Sequence, residues 1–148
     1  MIALACDHGG FDLMKEIKAY LDECDLEFKD FGTFSGDGCD YPEITVRAGG
    51  AVASGLCDLG IFVCGTGIGM AIAANKISGI RAAPCSDCYT AEMTRLHNDA
   101  NVLTLGARVV GTGLAIKIIE TFLNTDFDID ENGRHRRRVE MLSALDIR

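Results

Sequence analysis

Residues 58–76 constrain this chain more than any other stretch: D-L-G-I-F-V-C-G-T-G-I-G-M-A-I-A-A-N-K. Residues 59–63 form a short apolar run rich in strand formers. The chain then turns through Cys64, Gly65, Thr66, Gly67, Ile68 and Gly69, and 70–76 is an alanine-rich segment of helical propensity. Strand, glycine loop and helix together aim backbone N–H groups at an anion. The glycine spacing is G-x-G-x-G. It is not the dinucleotide fingerprint, because position 70 is Met, and it is not a P-loop, because no Gly-Lys-Ser/Thr follows. What sets this copy apart is Cys64 at the strand's end. Helix-start N–H groups favour the thiolate of a neighbouring thiol, which can then act as base or nucleophile. The plainer alternatives are a tight turn and a buried structural thiol.

With 148 residues, 1–148 reads as a single domain that buries roughly 70% of its unfolded surface. A net charge of −8 excludes a general nucleic-acid or acidic-membrane binder. The basic residues are uneven, though. Arg134, Arg136, Arg137 and Arg138 cluster in an otherwise acidic chain, which points to a small anionic ligand. Residues 1–6 run at once into Asp7 and His8, too short for a signal-peptide core. The longest uncharged run, 59–75, is broken by Gly65, Thr66, Gly67 and Gly69, so it reads as strand, loop and helix rather than a membrane span. Seven cysteines without a secretory signal read as reduced thiols in a cytoplasmic protein.

The order of elements follows from apolar periodicity. Residues 2–6 are a strand without alternation, as expected for one covered on both faces. A helix over 11–24 carries Leu13, Met14, Ile17 and Leu21 on one stripe. A strand over 26–31, a loop over 32–42 and a helix over 43–54 precede the opening stretch. After it come a strand over 79–84, a helix over 87–97 capped by Ser86 or Asp87, and a strand over 102–105. An apolar helix to 123, an acidic loop over 125–133 and a last helix over 134–145 complete the chain. Five strands alternating with helices give an α/β fold with a doubly wound parallel sheet. Ligands in such sheets bind beyond the strands' carboxyl ends, here 6–8, 64–69 and 86–87.

The remaining candidates are read from residue type and spacing. Asp7 and His8 are either a loop pair in which Asp7 caps the first helix, or groups facing a ligand. His97, near a helix C-terminus, is either a dipole-stabilised cap or an acid–base group, with His135 and His8 as competitors. Arg134 and Arg138 are four apart, share a helix face and suit one phosphate. Cys85 and Cys88 form a C-x-x-C with neither a second pair at zinc spacing nor a thioredoxin-like context, so it reads as structural.

Six motifs in order resemble the ribose-5-phosphate isomerase B family, which includes the galactose-6-phosphate isomerase subunits. They are A-C-D-H-G-G at 5–10, D-Y-P at 40–42, C-G-T-G-I-G-M at 64–70, A-A-N-K at 73–76, H-N-D-A-N at 97–101 and G-R-H-x-x-R at 133–138. The resemblance implies a Rossmann-like α/β/α sandwich with a five-stranded parallel sheet and an extra C-terminal helix. It implies homodimers or dimers of dimers with active sites shared between subunits. It also implies aldose–ketose isomerisation of a sugar phosphate with no metal and no cofactor.

Site roles carry over from the same resemblance. His97 matches the ring-opening residue, with Asp7 or Thr66 assisting. Cys64 matches the base that takes the C2 proton to give a cis-enediolate. The N–H groups of Gly65, Gly67, Ile68, Gly69 and Met70 form the oxyanion hole. Tyr41 and Asn98 match sugar contacts, and His8, Arg108, Arg134 and Arg138 match the phosphate site. Relatives that lack the cysteine use a glutamate in the following helix, but no acid occurs between Gly65 and Asn75 here, and Ala71 stands where many relatives have Ser. The expected substrates are ribose 5-phosphate and ribulose 5-phosphate, in the pentose phosphate pathway. The alternatives are a six-carbon aldose phosphate, such as allose 6-phosphate or galactose 6-phosphate, and a non-catalytic sugar-phosphate or nucleotide module.

Overall fold

The apolar runs pair side by side because each is too apolar to leave either face in water. The computed structural model describes residues 1–128 and 132–146. In chain order the elements are β1 (Ile2–Cys6), α1 (Phe11–Glu23), β2 (Phe28–Asp30), α2 (Tyr41–Ala53), β3 (Leu59–Cys64) and α3 (Ile68–Ala74). They continue as β4 (Ala82–Pro84), α4 (Cys88–Asn98), β5 (Val102–Gly106), α5 (Thr112–Leu123) and α6 (Arg134–Ser143). All four strand pairings are parallel, in the order β2-β1-β3-β5-β4. β1 and β5 are buried along their whole length, which is why their sequences do not alternate.

The two-residue period of the strands splits the core in two. One face gathers Leu4, Ile61, Val63, Leu103 and Leu105 with Met14 and Ile17 of α1 and Ile118 and Phe122 of α5. The other gathers Ala3, Ala5 and Phe62 with Ile44 and Val52 of α2 and Met70 and Ala74 of α3. Helices α1, α4 and α5 therefore cover one side, and α2 and α3 the other. Strand β3 lies between β1 and β5, and it alone of these three sends its chain to the α2–α3 face. A crevice opens where neighbouring strands diverge in this way.

Several expected boundaries move, each for a local reason. Helix α2 starts at Tyr41 rather than 43, since Pro42 falls in the first turn, where its missing N–H costs nothing. Helix α3 starts at Ile68 rather than 70, because Gly67 turns the chain straight into it. Strands β2 and β4 shorten to three residues each, limited to those that reach a neighbouring strand. Asp87 caps α4 by accepting from the Thr90 N–H at 2.8 Å. Of the acidic loop expected over 125–133, residues 129–131 lie outside the described residues.

Strand β4 is an edge, and its outer backbone groups are closed by a side chain. The Asn75 amide donates to the Ala82 carbonyl and accepts from the Ala82 N–H, both at 2.8 Å. This imitates a further strand and blocks edge-to-edge pairing. Among the described residues no helix is long and apolar enough to cross a membrane.

Burial decides the state of most core thiols. Cys6 is pushed from 9.0 up to about 12, first by desolvation and then by the Asp30 carboxylate. Desolvation likewise raises Cys57 and Cys85. A raised folded-state value means that the native chain holds the proton longer than the unfolded one. The stabilisation is whole below pH 9 and is lost as pH rises towards 12. Denaturant midpoints should therefore fall across that alkaline window. Cys6→Ala should flatten the fall while lowering stability at neutral pH, and an unchanged slope would exclude Cys6 as its source.

Candidate active site

Cys64 ends β3 and is buried. Gly67, three residues on, is left-handed at φ 79° and serves as the N-cap of α3. Its N–H donates to Cys64 Sγ at 3.1 Å. The turn thus folds back so that a backbone donor meets the sulphur. Only glycine fits at 67. A Cβ would lie 2.9 Å from the Leu105 carbonyl carbon, besides the strain of a positive φ. The Ile68 N–H donates to Thr66 Oγ1 at 3.4 Å, so Thr66 steadies the same turn. The first N–H groups of any helix have no intrahelical acceptor, and in α3 these belong to the glycine loop and Met70.

Loops from both neighbouring strands close on this turn. Asp7 follows β1, and its N–H donates to the Val63 carbonyl at 3.1 Å. Asp7 Oδ1 accepts from the Gly10 N–H at 3.1 Å, so this carboxylate braces the turn into α1. His8 is exposed beside it, its Nδ1 accepting from the Cys39 N–H at 3.5 Å. From β5, the Arg108 N–H donates to the Gly65 carbonyl at 3.0 Å. The Arg108 guanidinium lies 3.5 Å from where a Gly65 Cβ would stand. From α2, the Tyr41 ring packs on Gly69, close enough that a Cβ there would meet it at 2.9 Å. Asp7, His8, Tyr41, Cys64, Thr66 and Arg108 therefore meet at the carboxyl edge of the sheet, around the loop that carries Gly65, Gly67, Ile68, Gly69 and Met70.

The other candidates sit elsewhere. Helix α4 runs antiparallel to the strands, so its last residues, His97 and Asn98, lie at the amino edge. The eleven residues of α4 span about 16 Å, which sets that edge well apart from the one holding Cys64. There the His97 and His135 rings stand 4.5 Å apart at 51°. A guanidinium nitrogen of Arg134 lies 3.1 Å from His135 Nε2, which places Arg134 with them. Arg138 is exposed one turn further along α6. The candidate groups of a single chain thus fall into two sets, one at each edge of the sheet.

The amino edge also holds a network that periodicity and motif reading missed. Asp99 is left-handed at φ 47° and ends α4. Its carboxylate meets Arg81 at 2.8 Å and Arg95 at 3.2 Å. The signal available was an Asp after Asn at a helix end, since Asp tolerates this backbone better than most residues. Cys85 is buried just past β4, while Cys88 opens α4 and packs against the core. Among the described residues no three His, Cys, Asp or Glu groups come together as a metal site would need.

The chain is similar to known proteins over almost its whole length. The profile of the ribose/galactose isomerase family matches residues 2–142. Ribose-5-phosphate isomerase B of Escherichia coli (strain K12) is 48% identical over 147 residues, covering 99% of this chain and 97% of that protein. The D-erythrulose-4-phosphate isomerase of Pectobacterium atrosepticum is 40% identical, covering 95% and 91%. The solved structure of Clostridium thermocellum ribose-5-phosphate isomerase B superposes with a TM-score of 0.94 at 47% identity, covering 98% of this chain and 96% of that one.

Gly67→Ala should cost about 2 kcal/mol, from the left-handed φ and the close Leu105 carbonyl together. Equilibrium unfolding measures this, and an unchanged stability would mean that the turn relaxes freely.

Proposed function

The chain belongs to the ribose/galactose isomerase family as a sugar-phosphate isomerase, and we propose that it interconverts ribose 5-phosphate and ribulose 5-phosphate through a cis-enediolate. The observation that carries this reading is the Gly67 N–H aimed at Cys64 Sγ at the mouth of a donor-rich loop. A thiolate held this way is a base beside a place where oxyanion charge can be stabilised.

The steps follow from those groups. Ribose 5-phosphate arrives as a closed ring. His97 takes the anomeric hydroxyl proton and a proton is delivered to the ring oxygen, so the C1–O4 bond breaks and C1 becomes an aldehyde. Thr66 and Asp7 assist at this stage. Cys64 then removes the C2 proton. The C–H electron pair forms the C1=C2 double bond, and the carbonyl pair moves onto O1 as an oxyanion. Backbone N–H groups of Gly65, Gly67, Ile68, Gly69 and Met70 stabilise that charge. A proton passes from O2 to O1, Cys64 returns its proton to C1, and the carbonyl re-forms at C2. His8, Arg108, Arg134 and Arg138 hold the phosphate, while Tyr41 and Asn98 fix the sugar. No metal or cofactor enters these steps.

The two edges of the sheet give this reading a requirement. His97, Asn98, Arg134 and Arg138 cannot reach the Cys64 of their own chain, so a second copy supplies them, in a homodimer or dimer of dimers. Ile68 and Ile72, one turn apart on α3, are 55% and 58% exposed beside the loop. Apolar exposure next to a half-built site suits burial by that copy. The reduced thiols and acidic surface fit a cytoplasmic enzyme of the pentose phosphate pathway. The tetrose phosphate in the name of the Pectobacterium relative favours assaying four-carbon substrates beside five- and six-carbon ones.

Cys64→Ala should lower turnover of ribose 5-phosphate by at least ~10³-fold with the fold intact, as judged by circular dichroism. Near-normal turnover would remove Cys64 as the base. Mixing Cys64→Ala with His97→Asn homodimers tests the shared site. Half the re-formed dimers are heterodimers, each with one intact site, so about a quarter of wild-type activity should return. If nothing returns although heterodimers form, the two residues act within one chain.

A further inference from the structure

His97 and Asn98 lie at an exposed helix end, the place where helices fray first. Here the end is held unusually firmly. Asp99 adopts the left-handed conformation, its N–H bonding the Arg95 carbonyl at 3.2 Å, and Ala100 N–H bonds the Thr94 carbonyl at 3.1 Å. Two guanidinium groups grip its carboxylate. Arg81, just before β4, reaches one oxygen at 2.8 Å, and Arg95, a turn back on α4, reaches the other at 3.2 Å.

Both arginines also hold backbone. Arg81 Nε donates to the carbonyls of Asn98 at 3.1 Å and Asp99 at 2.8 Å, the last acceptors of the helix. Arg95 donates to the Ala100 carbonyl at 2.6 Å and to the Thr125 carbonyl at 3.1 Å, beyond α5. The Arg95 guanidinium stands 5.5 Å from the centre of the buried Phe122 ring. The turn carrying His97 and Asn98 is thereby tied to β4, to the core and to the chain after α5. Nothing in this network needs the substrate, and none of it lines the Cys64 loop.

We propose that Asp99, clamped by Arg81 and Arg95, is a positioning residue that presents His97 to the closed sugar ring. The inference rests on the ring-opening role given to His97 above. It adds that the aim of His97 is set by the Asp99 turn rather than by the helix itself. A shift of about 1 Å in a catalytic group can cost ~10²-fold in rate, so a loosened turn should be visible in turnover.

Two readouts separate positioning from simple damage. Conversion of ribose 5-phosphate needs ring opening. Ribulose 5-phosphate is open-chain, because its 5-oxygen carries the phosphate and cannot close a furanose. Exchange of its C1 hydrogen for solvent deuterium, followed by NMR, uses Cys64 and the glycine loop but no ring opening: a proton held on sulphur is replaced by a deuteron before it returns to C1. Asp99→Gly keeps the left-handed backbone and removes the clamp. At saturating substrate it should cut ribose 5-phosphate conversion at least ~10-fold while exchange stays within about twofold of wild type, any loosening of Asn98 entering through KM. Asp99→Asn, which tolerates the same backbone and keeps one acceptor oxygen, should show a smaller loss of the same selectivity. It serves as the test should Asp99→Gly not fold.

Equal losses in both readouts, or no loss in either, would overturn the proposal. His97→Asn measured alongside keeps the two claims apart. If His97→Asn loses both readouts equally, ring opening by His97 is wrong. If His97→Asn is selective and the Asp99 variants are not, only the clamp fails.

Discussion

Strand β3 is the only one of the three central strands that sends its chain to the α2–α3 face, and the site depends on that divergence. The loops after β1 and β5 turn to the opposite face, so the turn after β3 stands with space on either side of it. Into that space come Asp7 and His8 from one neighbour and Arg108 from the other. The turn must also be tight enough for Gly67 to bring its N–H back to Cys64. Divergence opens the crevice, and the left-handed glycine makes it chemically useful.

The same residue type at the ends of adjacent strands meets two different environments. Cys6 ends β1 and Cys64 ends β3, one strand apart in the sheet. The Cys6 thiol points at the Thr33 carbonyl and is held neutral far into the alkaline range by burial and a nearby carboxylate. The sulphur of Cys64 instead meets a backbone donor, the Gly67 N–H at 3.1 Å. The contrast comes from the chain that follows each strand. After β1 the chain passes through Asp7, whose carboxylate braces the turn, and after β3 it starts a helix at once.

Helix α4 has a different consequence. A crossover helix must return the chain to the start of the next strand, so its C-terminal residues fall at the amino edge. His97 and Asn98 are there for that reason, and α6 adds Arg134 and His135 to the same end. The sheet therefore has arginine and histidine side chains at both edges, His8 and Arg108 at one and His97, Arg134 and His135 at the other. For a sugar phosphate of a few ångströms, the proposed function then needs two copies of the chain, each giving one edge.

The strand–turn–helix around Cys64 was legible in the sequence, as were the alternating elements, because apolar period and glycine placement report on residues close along the chain. The motif at 97–101 announced His97 and Asn98 but not their location. Arg108 entered only through family resemblance, since nothing near it in sequence marks it as part of a site. Its place over Gly65 depends on β5 lying between β3 and β4, an order set by long-range pairing and the right-handed crossover. The Arg81–Asp99–Arg95 clamp was equally hidden, because its members are gathered from a strand entry and a helix end. Local propensity by itself determined which segments are strands and helices and which turn holds the thiol. Tertiary structure decided which residues meet across the sheet and which edge each reaches, because those outcomes follow from the order in which distant strands pair.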